Sequence, residues 1–345
     1  RAVANCIYSL PHFFLHVSMI IQGLRMRLNL YAKLTEIQSR NRRQIDSFLF
    51  NAPNRYKVYS IPKRNGGERI IAHPSSELKS FQHSLIDILE SNFLIHKSAV
   101  AYKKGWGIKH NAALHSNNPY ILKLDFTDFF NSITPDLLLM ACAWNGYTLS
   151  IAEERVLTKS LFWNKAKSQS GRLSLSVGAP SSPLISNIVM YLFDETFSSL
   201  CEQREIIYSR YADDLTFSTQ HKNILFSLPD EVRTFLNKNY QNRITLNERK
   251  TVFTSRAHNR HITGITLTTK GTLSVGRERK RFISSLIHKY KLGLLDPEMT
   301  YYLQGLLSFA IYIEPEFRTR MSKKYSQEII LEIIKLRKED GTYKK

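Results

Sequence analysis

Three acidic positions carry the chemistry that this sequence can support. Asp213 and Asp214 follow Ala212 between two stretches, Ile206 to Tyr211 and Leu215 to Thr219, that read as the strands of a hairpin. Asp125 closes a third stretch, Tyr120 to Phe126, in which Leu122, Leu124 and Phe126 share one face of a strand while Lys123 and Asp125 share the other. If those strands are neighbours in a sheet, the three carboxylates meet. Crowded carboxylates repel and raise one another's pKa, so the arrangement asks for a cation. Hard divalent ions, Mg²⁺ or Mn²⁺, take oxygen ligands and keep several waters. Two of them about 4 Å apart can activate an attacking hydroxyl and neutralise a triphosphate. An Asp-Asp pair also has a plainer reading, as residues that favour a hairpin turn.

The elements around these acids follow from periodicity. Met26 to Phe50 has helical spacing through Leu28, Tyr31, Leu34, Ile37, Ile45 and Phe48. Tyr56, Val58 and Ile61, then the Asn65-Gly66-Gly67 turn, then Arg69 to Ile71 predict a β-hairpin. Pro74 stops its second strand, Ser75 or Ser76 caps a helix, and Leu78, Phe81, Leu85, Ile88 and Leu89 give that helix its apolar stripe. A helical region is expected from Pro135 to Phe162, and another helix from Leu184 to Leu200 after a Ser/Gly/Pro-rich loop. Further strands are expected at Ile244 to Leu246, Thr251 to Thr254 and Ile262 to Leu267. Past Gly276 the chain reads as helical and basic. The fold class is therefore α+β. The expected organisation is an N-terminal helical region (1–50), a mixed region (51–119), an acid-bearing antiparallel sheet with helices (120–275, including the 177–200 loop and helix) and a basic helical tail (276–345).

The chain's 345 residues, 43% of them hydrophobic, suffice for a continuous core with subdomains. Its formal charge of +20 favours a polyanionic partner, nucleic acid before a membrane surface. Cys6, Cys142 and Cys201 have neither zinc-site nor disulfide spacing, which fits a reducing cytoplasm. The apolar stretch from Cys6 to Leu24 is short for a bilayer span and lacks the pattern of a secretory leader. It reads either as a buried or docking helix or as a non-native extension.

The strings around the acids resemble a known family. RYADDLTFST, holding Asp213 and Asp214, resembles motif C of reverse transcriptases, and LKLDFTDFFNSI, holding Asp125, resembles motif A. VGAPSSPLISN, Val177 to Asn187, resembles motif B, with Val177 where the family commonly has glutamine. Asn111 to His115, just before motif A, and Ile262-Thr263-Gly264, with isoleucine for the usual valine, resemble two signatures of the retron enzymes. The likeness runs from about Met26 to Tyr325.

This resemblance implies a right-hand polymerase with fingers, palm and thumb, and an RNA-directed DNA polymerase activity. Asp125, Asp213 and Asp214 would hold two Mg²⁺ ions. Lys63 and Arg69 on the fingers hairpin would reach the triphosphate, Asp128 would lie near it through its backbone, and Gly178 and Ala179 would let the motif B loop approach the nucleotide. Phe130 would act as the steric gate against a 2′-hydroxyl. The resemblance also implies a cognate structured noncoding RNA, primed from a 2′-hydroxyl and copied into a retained RNA-DNA product, with deoxynucleotides as substrates and an effector protein in an anti-phage system. Asn111, His115, Thr263, Gly264, Arg277, Arg279, Lys280 and Arg281 are the expected RNA contacts. Tyr290, Tyr301, Tyr302 and Tyr312 either stack on bases or pack inside. No ribonuclease H cluster is visible, so template removal is expected to fall to another enzyme. The competing assignments are a group II intron or diversity-generating reverse transcriptase, and an RNA-binding scaffold that restrains an effector.

Overall fold

The computed structural model describes residues 26–63, 66–168 and 171–336. The expected helix at Cys6 to Leu24, the turn residue Asn65 and the end of the basic tail lie outside the described residues. The chain divides into two compact units, one formed by Leu122–Val252 and the residues up to Lys104, the other by Gly105–Ile121 and Phe253 onward. Each is α+β.

In the first unit, Leu30–Gln38 (α1) and Arg42–Asn51 (α2) replace the single helix expected from Met26 to Phe50. The break has a local cause. Ser39 takes a left-handed conformation at the end of α1, and Asn41 with Gln44 forms a reciprocal capping box that starts α2 afresh. Strands β1 (Tyr56–Pro62) and β2 (Glu68–Pro74) pair antiparallel from Tyr56 opposite Pro74 to Pro62 opposite Glu68. Ser75 then caps α3 (Ser76–Glu90), its hydroxyl accepting from the Leu78 N–H, and α3 buries Leu78, Phe81, Leu85 and Ile88.

Helix α4 (Ile108–His115) belongs to the second unit. Strand β3 (Tyr120–Asp125) leads through the single-turn α5 (Phe129–Ser132) to α6 (Pro135–Trp144) and α7 (Ile151–Leu161). The helical region expected up to Phe162 is thus split, with a Ser150–Glu153 capping box opening α7. A short hairpin, β4 (Trp163–Asn164) and β5 (Leu173–Ser174), precedes the motif B loop. Met190 separates α8 (Ser182–Val189) from α9 (Tyr191–Gln203) where one helix was expected.

The hairpin of β6 (Ile206–Tyr211) and β7 (Asp214–Thr219) forms as the sequence predicts, with Tyr211 opposite Asp214. Helix α10 is Leu228–Tyr240, and β8 is Val252–Thr254. The resulting sheet has the order β6-β7-β3-β8. Ile244 to Leu246, expected as a strand, contributes only an isolated bridge from Leu246 to Phe126. Behind the sheet an aromatic layer packs. Phe193 meets Phe197 at 4.5 Å between ring centroids and Phe126 at 5.7 Å, and Tyr208 stacks on Phe217 at 4.9 Å.

The second unit has a sheet of β9 (Arg260–Ile262), β10 (Ile265–Leu267) and β11 (Leu273–Ser274), in the order β11-β10-β9. The single strand expected from Ile262 to Leu267 reverses instead at Thr263-Gly264, where φ is +45° and +81°. Helices α11 (Arg277–Lys291), α12 (Pro297–Ile313), α13 (Glu316–Tyr325) and α14 (Gln327–Lys335) complete it. Ala112, Ile262, Ile265, Ile283, Leu303 and Leu307 share one core. Gly105–Ile121 and the β9–β11 sheet therefore share one core with the basic helices, because their apolar faces close on the helices' own, where the sequence grouped them with the fingers and palm regions.

This core should respond as a core does. Leu307→Ala, at a fully buried site, is expected to cost about 2–5 kcal/mol, whereas Tyr302→Ala, at a half-exposed one, is expected to stay within about 1 kcal/mol. Thermal and urea unfolding measure both, and equal costs would contradict the packing described.

Candidate active site

The site lies wholly in the first unit and is built on two strand ends. The Phe126 N–H, just after β3, donates to the carbonyl of Asp213 at 3.1 Å, a backbone bond that holds Asp125 beside the β6–β7 turn. The backbone carbonyl of Asp125 accepts from Asn247 N–H at 2.8 Å, and Thr127 N–H donates to Thr245 at 2.8 Å. At the turn, Ala212 has φ +57°, a left-handed conformation that costs a non-glycine residue about 1–2 kcal/mol.

The electrostatics follow from this crowding. Burial, then the charge of Asp125, raises the pKa of Asp213. Asp214 is pushed up to about 7, by burial first and then by the charges of Asp213 and Asp125. Both oxygens of the buried Asp125 carboxylate accept from the Lys250 ammonium at 2.9 Å, and that bond raises the lysine's own pKa. Among the described residues, no group of three or more His, Cys, Asp or Glu side chains is placed to hold a metal ion. The donor set is nonetheless all oxygen, negatively charged and self-repelling. Such a set fits hard divalent ions whose shells are completed by water and phosphate.

Beside the acids is a cleft of about 400 Å³ lined by Phe130, Val177, Gly178, Ala179 and Tyr102. The half-buried Phe130 ring faces it while Phe129 is core. Gly178 has φ +117°, and a Cβ there would stand 3.0 Å from Ile71 Cγ2 and 3.2 Å from the Ala72 carbonyl. Only glycine lets the loop lie this close to β2. The same approach is fixed by the Ala72 N–H donating to Val177 O at 2.9 Å, so position 177 contributes a backbone bond whatever its side chain. Asp128, exposed and at φ +45°, accepts from Asn131 Nδ2 at 2.7 Å.

Lys63 and Arg69 stand exposed on the β1–β2 hairpin, outside the residues that line the cleft. Arg69 is near enough to lower the Asp213 pKa in part. The cleft's basic wall was missed by sequence reading: His73 on β2 with Lys79 and His83 on α3. Its signal was the i, i+4 spacing of Lys79 and His83 opposite the apolar stripe of α3. Lys250 was missed as well, and no spacing links it to Asp125.

Of the expected RNA contacts in the second unit, Asn111 and His115 are corrected. Both are fully buried, and burial alone drives the His115 pKa down to about 3. They have no surface to offer a nucleic acid in this fold. Thr263 and Gly264 form a partly open hairpin tip. Arg277 and Arg281 are exposed, whereas Arg279 lies over the Phe309 ring at 5.4 Å and Lys280 pairs with Glu314 at 2.9 Å. Tyr302 and Tyr312 are half-exposed, and Tyr290 packs on the core with its hydroxyl donating to Glu332 at 2.7 Å.

The reverse transcriptase (RNA-dependent DNA polymerase) family matches residues 61–267. Among curated proteins, the chain is similar to Retron Ec83 reverse transcriptase of Escherichia coli, 49% identical over 280 residues covering 81% of this chain and 90% of the relative. It is also similar to Retron Ec73 reverse transcriptase of Escherichia coli, 30% identical over 82% of this chain and 91% of the relative. Among solved structures it matches a telomerase from Candida tropicalis in complex with a TWJ fragment of telomeric RNA, at 15% identity and a TM-score of 0.45 over 81% of this chain and 57% of that one.

The crowding of the acids is measurable without substrate. Asp214 takes up its proton near pH 7 in the native state and near 3.8 in an ordinary setting. Between those values the native state holds a proton that the unfolded state has released, so this group's contribution to stability falls as pH rises through the window. In EDTA, Asp214→Asn should raise the melting temperature over the parent at pH 8 and little at pH 5. The gap should widen by roughly 1 kcal/mol, since Asp214 is partly screened by solvent. A gap that is constant with pH would mean that the carboxylates do not sense one another.

Proposed function

Because this chain belongs to the reverse transcriptase family and, within it, to the retron enzymes, we propose that this RNA-directed DNA polymerase copies part of a cognate structured noncoding RNA into single-stranded DNA, primed from an RNA 2′-hydroxyl. The observation that carries the reaction is the convergence of Asp125 on the Asp213-Asp214 turn, secured by the Phe126-to-Asp213 backbone bond. In this reading, Asp125, Asp213 and Asp214 hold two Mg²⁺ or Mn²⁺ ions. When bound, the ions activate the attacking hydroxyl and neutralise the departing pyrophosphate.

The chain's own residues do the remaining work. The attacking hydroxyl displaces pyrophosphate from the α-phosphorus of a deoxynucleoside triphosphate, and Lys63 and Arg69 meet the triphosphate from the hairpin. Gly178 and Ala179 give the incoming base a flat backbone wall. Phe130 lies under the sugar and excludes a 2′-hydroxyl by bulk. The backbone around Asp128 borders the triphosphate. In the second unit, the Thr263-Gly264 tip and the exposed Arg277 and Arg281 face the RNA, with Arg279 and Lys280 beside them. A +20 chain supplies the long-range attraction for such a partner. The setting is a bacterial cytoplasm, with the RNA-DNA product retained and an effector protein completing an anti-phage system. Among the described residues, no helix is long and apolar enough to cross a membrane.

Replacing Asp213 and Asp214 together with asparagine should abolish DNA synthesis while leaving binding of the co-purified RNA intact. Synthesis that survives the double change would remove the catalytic reading. Digesting the co-purified nucleic acid with ribonuclease and deoxyribonuclease should reveal a branched RNA-DNA hybrid. RNA affinity should fall with salt at about −0.7 to −0.9 in log–log slope per phosphate neutralised. Phe130→Ala should admit ribonucleotides, read as a drop of about tenfold or more in the deoxy-over-ribo ratio of kcat/KM; an unchanged ratio would rule out Phe130 as the gate.

A further inference from the structure

The turn that bears Asp213 and Asp214 is braced from behind by a charge that never reaches solvent. Arg210 on β6 and Asp194 on α9 are both fully buried. Arg210 Nε donates to Asp194 Oδ1 at 2.8 Å and Nη2 donates to Oδ2 at 2.6 Å, a two-pronged fork. Nη2 also donates to Asn187 Oδ1 on α8 at 3.1 Å, and Nη1 donates to the carbonyl of Ala212 at 3.2 Å. The Tyr208 hydroxyl donates to Asp194 Oδ1 at 2.7 Å. The backbone of Arg210 is fixed too, its N–H donating to Ser98 O at 2.7 Å and its carbonyl accepting from Val100 N–H at 2.9 Å.

A buried ion pair adds little stability over a well-packed apolar pair, because losing water offsets the attraction. An apolar pair, however, could not hold a carbonyl. The carbonyl held here belongs to Ala212, the residue at φ +57° immediately before the acids. A non-glycine residue keeps such a backbone only where its surroundings over-determine it.

We propose that Arg210 is a positioning residue for the polymerase reaction: anchored by Asp194 and Asn187, it fixes the Ala212 carbonyl and so sets the aim of Asp213 and Asp214 toward Asp125. Asn187 ends the Val177–Asn187 segment whose first residues line the cleft. One guanidinium thus joins the helix behind the nucleotide loop to the acid-bearing turn. The inference rests on reading Asp213 and Asp214 as the catalytic acids. It adds that a residue touching neither substrate nor ion decides where they point.

The test compares the full-length parent with Arg210→Lys, Asn187→Ala and the double variant Arg210→Lys/Ala212→Gly. Three quantities are read: DNA synthesis on an RNA template with an annealed DNA primer, hydrogen–deuterium exchange of the amides at 211–216, and melting temperature. Lysine keeps the charge but cannot make the fork. Arg210→Lys should lower kcat on the order of 10²-fold, the scale of a small misplacement of catalytic groups, with the deoxynucleotide KM changed less than about threefold. Exchange should accelerate at the turn while the rest of β6 and β7 stays protected. Glycine accepts a positive φ without strain, so adding Ala212→Gly should recover about tenfold or more of the lost kcat.

A lower melting temperature with kcat unchanged would overturn the proposal. So would faster exchange throughout the unit with no recovery from Ala212→Gly. Should Arg210→Lys fail to fold, Asn187→Ala decides, since it leaves the fork to Asp194 in place: a fall in kcat with faster exchange at the turn supports the role, and parental values for both overturn it. If Asp213→Asn proves fully active, it is the catalytic reading that fails, and exchange at the turn still reports whether Arg210 holds it.

Discussion

Three carboxylates that repel one another must be kept within reach of one another, and most of the first unit can be understood as meeting that demand. Nothing in their charges brings them together. Neutral backbone contributes through the Phe126-to-Asp213 bond between two strand ends and the Asn247-to-Asp125 bond on the other flank. Main-chain bonds suit this task because they hold atoms in place without neutralising them, leaving charge for a cation to satisfy. The Lys250 ammonium on Asp125 shows how strongly the site draws positive charge to itself.

The same logic extends outward. The sheet is stiffened by the aromatic layer of Phe126, Phe193, Phe197, Tyr208 and Phe217, whose interdigitated rings resist small displacements. Above the acids, the close approach of Gly178 to β2 sets the depth of the cleft, so the hairpin and the motif B loop are positioned as one surface. The chain is strongly basic overall yet acidic here. A basic chain draws polyanions from a distance, and crowded carboxylates draw cations.

Much of this could be read from the chain because the relevant signals are local. Alternation from Tyr120 to Phe126, the hairpin flanking Asp213-Asp214 and the Ser75 cap each depend on a few consecutive residues. What escaped depends on distant partners. Arg210 looks like one more surface cation until Asp194, on another element, is seen to bury it. Lys250 meets Asp125 from 125 positions away. Asn111 and His115 carry polar side chains on a short helix, a pattern that suggests exposure, but α4 is closed in by the core of the second unit. Thr263-Gly264 sits in a stretch that reads as one strand because Ile262, Ile265 and Leu267 are all apolar, whereas positive φ at both residues turns the chain there.

The second unit is discontinuous: Gly105–Ile121 runs into the start of β3, and its packing partners begin only at Phe253. A chain made from its N-terminus at about 5–20 residues per second therefore exposes the apolar side of α4 for roughly 10 to 40 seconds before Ile262, Ile283 and Leu303 have all been synthesised. Until then Asn111 and His115 are wet. On the ribosome, the acid-bearing unit can therefore assemble ahead of the second core, which is the last part of the described fold to close.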